Sequence, residues 1–255
     1  MLRIERQRQI MNYLNEHKKA GTEELAELFN VSSVTIRRDI DILSKQGLLF
    51  KTHGGAVTSV TVFNDIPFFE RAGINKAEKA MAGSLAASLI EDYDNVIIDT
   101  GTTTLQIAKH ITAKNITVLT NDIQIAAELI PMEGVLVYIS GGRIEQGTSL
   151  IHGVKTTQFF QDFHVNKAFI GCDAVDPDFG ISDRFSINTD VKRTMINSAD
   201  RVIVVADHTK LGKREFINIC DMSRIDTLVT DSIDSETYDA LIKKDIEVLF
   251  HTQPV

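Results

Sequence analysis

Residues 24–43 read ELAELFNVSSVTIRRDIDIL, and this stretch decides the fold of the first part of the chain. In its second half, Ile36, Ile40 and Leu43 recur at helical spacing, which predicts a helix with one apolar face. Ser32 precedes that helix and is a suitable N-cap. The stretch therefore predicts two helices joined by a short turn.

The flanking residues complete a small domain. Residues 3–17 carry an apolar stripe at helical spacing, and residues 48–57 form two β-prone runs around a Gly-Gly turn. Three helices and a hairpin are typical of a winged helix-turn-helix, so we expect a DNA-binding domain over residues 1–57. Residues 58–76 show weak periodicity and contain Pro67 and Gly73, which predicts a linker.

The charge is distributed unevenly along the 255 residues. The net charge of −8 would disfavour a nucleic-acid partner, but the first 57 residues carry +2 and the remainder carries −10. No apolar run is long enough to span a membrane, and the N-terminus lacks the apolar core of a signal peptide. The two cysteines and seven histidines show no disulfide or metal-ligand spacing. We therefore expect a cytoplasmic protein with no membrane partner, no metal and no cofactor.

The third helix offers groups that suit a major groove. With its apolar face inward, Val34 and Arg38 point outward, and Thr35 and Arg37 lie on the flanks. Arginine reads guanine edges or holds phosphates, and an apolar group can touch a thymine methyl. A solvated charged face is the alternative, but the position within a helix-turn-helix favours DNA contact. The predicted DNA-binding residues are Ser32, Ser33, Val34, Thr35, Arg37 and Arg38, with Lys51 and His53 at the tip of the wing.

Residues 77–255 predict an α/β fold. Short Val/Ile/Leu-rich strands alternate with helices, which indicates a mostly parallel sheet covered on both faces. The predicted strands are residues 95–99, 116–120, 134–140, 167–171, 201–206, 227–230 and 246–250.

Small polar residues gather where these strands end, which is where ligands bind such sheets. In the block of residues 99–104, DTGTTT, Gly101 lets the backbone approach an anion and the hydroxyls donate to it, so a phosphate suits this turn. Capping of a helix by Thr102 or Thr103 is the alternative, as it is for Asn121. Lys79 is expected to be solvated. The predicted effector-binding residues are Asp99, Gly101, Thr102, Thr103, Thr104, Thr120, Asn121, Gly141, Gly142, Arg143, Asp173 and Lys210.

The charged members of this set have different expected roles. Asp99 and Asp173 accept hydrogen bonds from sugar hydroxyls, and Lys210 and Arg143 offset a phosphate charge. Taken singly, each is as readily explained by a surface salt bridge.

A long run of residues resembles a known family. Residues 24–47 together with Thr52-His53-Gly54-Gly55-Ala56 resemble the DeoR-type winged helix-turn-helix of bacterial sugar-metabolism repressors. The resemblance continues through Arg71, Lys79, residues 99–104, Thr120-Asn121, Gly141-Gly142 and residues 207–210, so it covers nearly the whole chain. It implies a repressor whose C-terminal sensor domain shares its fold with ribose-5-phosphate isomerase and binds a phosphorylated sugar. Reading two half-sites of double-stranded operator DNA takes two recognition helices, so we expect a homo-oligomer, a dimer or a tetramer.

The chain departs from the family pattern between residues 173 and 193. Family members usually have a glycine where Ala174 and Val175 stand, and an acidic residue where residues 188–193 read NTDVKR. The identity of the sugar phosphate therefore stays open. A sugar-phosphate isomerase or deaminase with an added DNA-binding head is the alternative function. Isomerisation requires a positioned base, and residues 180–194 contain no glutamate, which favours binding without turnover and no catalytic residue.

Overall fold

The computed structural model describes residues 3–17, 19–45, 49–52, 54–58 and 72–251. The chain divides into two compact units, Met1–Ile66 and Pro67–Val255. Most of the expected linker, residues 59–71, lies outside the described residues, so domain boundaries at residues 57 and 76 stay predictions. Within the described ranges, no helix has both the length and the apolar character needed to cross a bilayer.

The first unit contains the three expected helices and the hairpin. Its elements are α1 Arg3–His17, β1 Lys19–Gly21, α2 Thr22–Leu28, α3 Ser33–Lys45, β2 Leu49–Thr52 and β3 Gly55–Thr58. The sequence did not predict β1, which pairs antiparallel with β3 and makes the wing a three-stranded sheet. β1 reads KAG, which contains no apolar run.

The apolar face of α3 forms the core of this unit. Ile36, Ile40 and Leu43 are buried among side chains of α1, α2 and β2. The Oγ of Ser32 accepts the backbone N–H of Thr35 at 3.3 Å, which confirms Ser32 as the N-cap.

One charged residue of α3 also faces the core. Asp39 is 1% exposed, and its carboxylate accepts Arg6 Nε at 2.6 Å and Gln7 Nε2 at 3.0 Å. The sequence contained the signal, because Asp39 lies three residues after Ile36 and four before Leu43, on the apolar side of the helix. This ion pair fixes α3 against α1.

The second unit alternates strands and helices. Its helices are α4 Lys76–Ala87, α5 Thr104–His110, α6 Ile123–Leu129, α7 Val154–Gln161, α8 Thr189–Asn197 and α9 Ser235–Ile242. Its strands are β4 Asn95–Ile98, β5 Ile116–Thr120, β6 Val135–Ile139, β7 Arg143–Ile144, β8 Ile151–His152, β9 Val165–Ile170, β10 Ala174–Asp176, β11 Gly180–Asp183, β12 Ala199–Val205, β13 Ile217–Cys220, β14 Thr227–Val229 and β15 Glu247–Leu249. Short 3₁₀ turns cover Ser186–Asn188, His208–Lys210 and Met222–Arg224.

All seven predicted strands belong to one parallel sheet with the order β15-β14-β12-β9-β4-β5-β6. The expected α/β fold class is therefore confirmed. Two small antiparallel sheets, β7-β8 and β10-β11-β13, were not predicted. Along β4, Ile97 packs into one apolar core while Val96 and Ile98 pack into another, so the central strands are covered on both faces.

The strand order reverses between β4 and β9. From β4 the chain proceeds outward through β5 and β6, and β9 then begins the other half on the opposite side of β4. Asp99 and Gly171 directly follow the two strands, and the backbone N–H of Gly171 donates to Asp99 Oδ2 at 3.2 Å. A reversal of this kind opens a crevice at the carboxyl ends of the strands, where α/β proteins bind ligands.

The Arg6–Asp39 pair gives a first prediction. Arg6→Met leaves the buried Asp39 carboxylate without its cation, so we expect a loss of about 3–5 kcal/mol in the free energy of unfolding of the first unit. Arg8→Met, at an exposed position of α1, is the matched control and should have little effect. The double variant Arg6→Met/Asp39→Leu should recover most of the loss. Urea unfolding of the full chain, followed by circular dichroism, measures this, and equal effects of Arg6→Met and Arg8→Met would contradict it.

Candidate DNA interface and effector site

The N-terminal half of α3 presents the expected DNA-binding groups together. Val34 is 70% exposed, and Arg37 and Arg38 are exposed beside it. Within the described part of the chain, neither arginine forms an ion pair. The hydroxyls of Ser32 and Thr35 lie 2.9 Å apart at the start of the helix. The arrangement leaves two guanidinium groups and an apolar side chain on one surface, which suits base edges and phosphates.

The wing is described only in its backbone near the tip. In the hairpin, Lys51 pairs with Ala56 and Thr52 pairs with Gly55. Gly54 has a φ of +101°, which is the conformation that the tight turn requires of a glycine. His53 and the side chain of Lys51 lie outside the described residues, so their contact with DNA stays a prediction.

A buried carboxylate lies at the reversal of the sheet. Asp99 is fully buried, and it accepts Gly171 N–H at 3.2 Å and Asn188 Nδ2 at 3.1 Å, with Lys192 Nζ at 3.5 Å. Burial raises the pKa of Asp99 to about 6, and the charge of Lys192 opposes this rise. The ionised form of the Asp99 carboxyl is therefore stabilised by these three partners.

Lys192 connects this carboxylate to a second one. Its Nζ donates to Asp183 at 2.6 Å and to the carbonyl of Gly171 at 2.7 Å. Burial works to lower the pKa of Lys192, but the carboxylates of Asp183 and Asp99 raise it overall, so the ammonium stays charged. Sequence reasoning missed Lys192. It lies three and four residues before the inward-facing Met195 and Ile196, and therefore on the same face of the helix.

Two amides extend the network from Asp99 to β5. Asn188 donates its Nδ2 to the carboxylate of Asp99, so its Oδ1 is an acceptor, and Asn121 Nδ2 donates to it at 3.1 Å. Asn121 Nδ2 also donates to the carbonyl of Ile151 at 3.2 Å. An ionised carboxylate only accepts hydrogen bonds, and it thereby fixes the orientation of both amides. Asn121 Oδ1 is left as a buried acceptor without a partner among the described residues.

Further buried polar atoms that have no hydrogen-bond partner in the described part of the chain lie at the same edge of the sheet. They are Ser140 Oγ after β6, Thr189 Oγ1 at the start of α8 and Asp207 Oδ2 after β12. A buried polar group left unpaired costs about 1–3 kcal/mol unless a water or a ligand satisfies it. The carboxyl edge of the sheet therefore has hydrogen-bonding capacity available for a polar ligand.

The threonine-rich turn follows β4 at this edge. Gly101 has a φ of +156°, and a Cβ there would lie 3.0 Å from the Oγ1 of Thr104, which donates to the Gly101 carbonyl at 3.1 Å. Thr103 is the N-cap residue of α5, but its side chain makes no capping bond. The capping alternative therefore fails for Thr103. Thr102 precedes the N-cap position, and its side chain is buried, with 8% exposed.

The end of β5 is held by its own hydrogen bonds. The Thr120 hydroxyl donates to the carbonyl of Ile98 at 2.7 Å and accepts Asp122 N–H at 3.1 Å. Asp122 caps α6, since its carboxylate accepts the N–H groups of residues 124 and 125. The interpretation of Asn121 as a helix cap is therefore wrong, because Asp122 has that role.

The residues after β6 separate into packing and surface groups. A Cβ on Gly142 would lie 2.3 Å from Thr156 Oγ1, which donates to the carbonyl of Gly141 at 2.8 Å. Close packing against α7 thus explains Gly142, whereas a Cβ on Gly141 would have no atom within 4 Å. Arg143 is exposed and pairs with Glu145 at 3.1 Å, which fits the surface salt bridge rather than the site.

Asp173 and Lys210 lie together beside the crevice. Lys210 Nζ is 3.9 Å from Asp173 Oδ1, and Arg184 N–H donates to Asp173 Oδ2 at 3.2 Å. Burial works to raise the pKa of Asp173, but Lys192, Arg184 and Lys210 together hold it below its usual value.

The expectation that Lys79 is solvated is wrong, because it is 6% exposed.

Comparison with known proteins identifies both units. The DeoR-like helix-turn-helix domain matches residues 6–74, and the DeoR C terminal sensor domain matches residues 74–232. The HTH-type transcriptional repressor GlcR of Bacillus subtilis is 36% identical over 255 residues, covering 99% of this chain and 98% of GlcR. The glycerol-3-phosphate regulon repressor of Escherichia coli is 28% identical over 233 residues, covering 91% of this chain and 92% of that repressor. A structure of D-ribose-5-phosphate isomerase with phospho-erythronic acid is similar at a TM-score of 0.41 and 19% identity, covering 53% of this chain and 54% of the isomerase.

The unpaired hydroxyl of Thr189 gives a second prediction. Thr189→Val removes a buried polar atom that has no partner, so the free energy of unfolding should stay unchanged or rise by up to about 1 kcal/mol. Thr227→Val is the control, because the Thr227 hydroxyl is buried at the opposite edge of the sheet and bonds to Arg201 and Glu247. That variant should lose about 1–2 kcal/mol. Urea unfolding compares the two, and equal losses would show that Thr189 has a partner in solution.

Proposed function

Because the chain belongs to the DeoR family of transcriptional regulators, we propose that it represses a carbohydrate-utilisation operon and that a phosphorylated sugar bound in the second unit alters its operator affinity. It acts in the cytoplasm, as a homo-oligomer on double-stranded DNA. The observation that carries the proposal is the cluster of unpaired buried polar atoms at the carboxyl edge of the parallel sheet. Such an edge binds a small polar ligand, and the family match assigns the first unit to DNA.

The two ends of a sugar phosphate fit different parts of the edge. Thr102 and Thr103 supply hydroxyl donors for a phosphate, and the partly exposed ammonium of Lys210 supplies a cation. The hydroxyl of Thr104 is already bonded to the Gly101 carbonyl. Asn121 Oδ1 and Thr189 Oγ1 supply an acceptor and a hydroxyl for sugar hydroxyls. The relative named for glycerol-3-phosphate agrees with a phosphorylated polyol as the class of ligand.

Ligand access requires a local rearrangement. Asn121 is fully buried and Thr189 is 2% exposed, so a ligand reaches them only after a neighbouring segment moves, and the turn Ser186–Asn188 is the segment that we propose. Movement of that turn breaks the bonds of Asn188 to Asp99 and Asn121. The ligand then has different affinities for two states of the unit, which is the condition for changing operator affinity.

Binding without turnover is favoured over isomerisation. An isomerase requires a base whose pKa lies near the working pH and which reaches the substrate. The pKa of Asp173 is held below its usual value, which makes it a weak base. The pKa of Asp99 is raised to about 6, but both of its oxygens are bonded and the side chain is fully buried. We therefore assign no catalytic residue.

The recognition helix gives a third prediction. Arg37→Ala and Arg38→Ala should each weaken operator binding by about 1–3 kcal/mol, and the arginine that reads a base edge should also relax specificity at one position. Arg8→Ala, which removes an exposed arginine from α1, is the control for net charge. Fluorescence anisotropy with operator and scrambled DNA across a salt series measures both effects. If neither variant differs from Arg8→Ala, the recognition surface is wrongly assigned.

The effector site gives a fourth prediction. Among a panel of sugar phosphates and the corresponding free sugars, one phosphate should change operator affinity about 5- to 150-fold, and its free sugar should not. Thr102→Ala, Lys210→Ala and Thr189→Val should keep operator binding and weaken this response. Lys243→Ala, at an exposed position after α9, is the control.

Two outcomes of that panel would contradict the proposal. An unchanged response in all three variants would remove the site from the carboxyl edge. Conversion of a sugar phosphate by the same sample, without selective DNA binding at any salt concentration, would assign the chain to the isomerase or deaminase class.

A further inference from the structure

The outer edge of β6 is apolar and uncharged. β6 is the last strand of the parallel sheet, and within the described residues no strand pairs with its outer edge. Its five residues read VLVYI. Leu136 is 56% exposed, Tyr138 is 41% exposed and Ile139 is 44% exposed. The expectation that the sheet is covered on both faces therefore fails at this end.

The exposed patch continues beyond the strand. Val135 and Val137 pack on the core beneath α6, so Leu136 and Tyr138 lie on the other face of the sheet. There Tyr138 contacts Phe163, with ring centroids 5.7 Å apart, and Phe163 contacts Phe159 at 5.0 Å. The strand edge and these rings form one apolar surface, which we call the β6 surface.

Edge strands of natural proteins usually carry features that prevent pairing with another chain. Inward-pointing charges, exposed lysines, prolines, bulges and very short length all serve this purpose. β6 has no charged residue and no proline, and its pairing with β5 is regular over all five residues. An exposed edge of this kind is suited to accept a further strand, whose backbone N–H and C=O groups satisfy its own.

We propose that the β6 surface is the interface between two copies of this chain, with β6 of one copy paired antiparallel to β6 of the other. The proposal names the surface that joins the homo-oligomer, and it rests on the proposed function only for the need of two DNA-binding heads at one operator. A two-fold axis through Val137 places Leu136 opposite the partner's Tyr138, which is an aliphatic–aromatic pair of the favourable kind. The two sheets then form one continuous sheet.

Charge favours a second copy at this surface. The residues after 57 carry a net charge of −10, so most contacts between two copies bring like charges together. An uncharged five-residue strand avoids that repulsion in a self-complementary contact. A basic partner would instead select an acidic surface of the chain.

The size of a stable interface requires more than the strand. A standard interface buries about 800 Å² on each partner, and a five-residue strand alone does not supply it. The rings of Phe159 and Phe163 extend the surface on one face of the sheet. On the other face α6 packs against β6, and Ile130, the residue that follows α6, is 73% exposed. These flanks add apolar side chains on both sides of the strand.

Sedimentation velocity of the full chain tests the interface directly. We expect Leu136→Lys to have half the wild-type mass, down to the 28.4 kDa of one chain if the wild type is a dimer. Phe216→Lys is the matched control, because Phe216 is 85% exposed and lies before β13, outside the parallel sheet, and it should keep the wild-type mass. Equal masses for Leu136→Lys and the wild type overturn the proposal, including the case in which both are monomers.

A cysteine at the proposed two-fold axis tests the register without disturbing the apolar surface. In a chain whose Cys172 and Cys220 are replaced by serine, Val137→Cys should form a covalent dimer under mild oxidation, because opposed residues of antiparallel strands lie within disulfide reach. The same serine background without Val137→Cys should not. Absence of the cross-link in Val137→Cys overturns the proposed register, in which the two-fold axis passes through Val137.

Both measurements are independent of DNA and sugar. A chain that fails to bind operator or sugar phosphate but still shows these mass changes would contradict the proposed function and support the interface. A chain that binds operator and sugar phosphate, and that sediments identically with and without Leu136→Lys, would support the proposed function and contradict the interface.

Discussion

The buried carboxylate of Asp99 is the constraint on which the second unit depends. An ionised group without water needs compensation, and three different elements supply it: the start of the segment after β9 through Gly171 N–H, the turn before α8 through Asn188, and α8 through Lys192. Each partner is thereby drawn to the point where the strand order reverses. Because the carboxylate only accepts hydrogen bonds, it also determines which atoms of Asn188 and Asn121 are donors. The unpaired acceptor of Asn121 is a consequence of Asp99, two side chains away.

The first unit uses the same device for another purpose. Asp39 points inward from a helix whose neighbouring Arg37 and Arg38 point outward, and Arg6 of α1 neutralises it in the core. A salt bridge buried in this way contributes less to stability than its short distance suggests, because both charges lose their hydration. Its geometric consequence is to join α1 to α3 at one point inside the core. The Arg6–Asp39 contact in the core thus helps to position the helix that carries the exposed Arg37 and Arg38.

Local patterns predicted the elements, and distant partners explain what they missed. Apolar runs located all seven strands of the parallel sheet, because strand periodicity is carried by neighbouring residues. The two-residue strands β7 and β8 read RI and IH, so neither contains an apolar run. The sequence located polar residues at the ends of the strands, but Asn188 and Asp99 are 89 residues apart, and no local pattern joins them. The sequence contained Asn188 only as a departure from a family pattern, and its role required the fold. The DNA contacts of Lys51 and His53 stay predictions.

The polar edge and the β6 surface meet at one residue. Ser140 directly follows β6, and its buried hydroxyl has no partner, while Ile139 before it lies on the exposed strand. A ligand that binds Ser140 therefore acts on the end of the strand that joins two copies in our proposal. A ligand with equal affinity for two states shifts neither, however tightly it binds. The unpaired atoms belong to the ends of β5, β6 and β12 and to the start of α8, so a ligand that bonds several of them is sensitive to the relative positions of these elements. The ligand therefore has different affinities for different arrangements of these elements. If it favours one state of assembly, that state of assembly in turn binds the ligand more tightly.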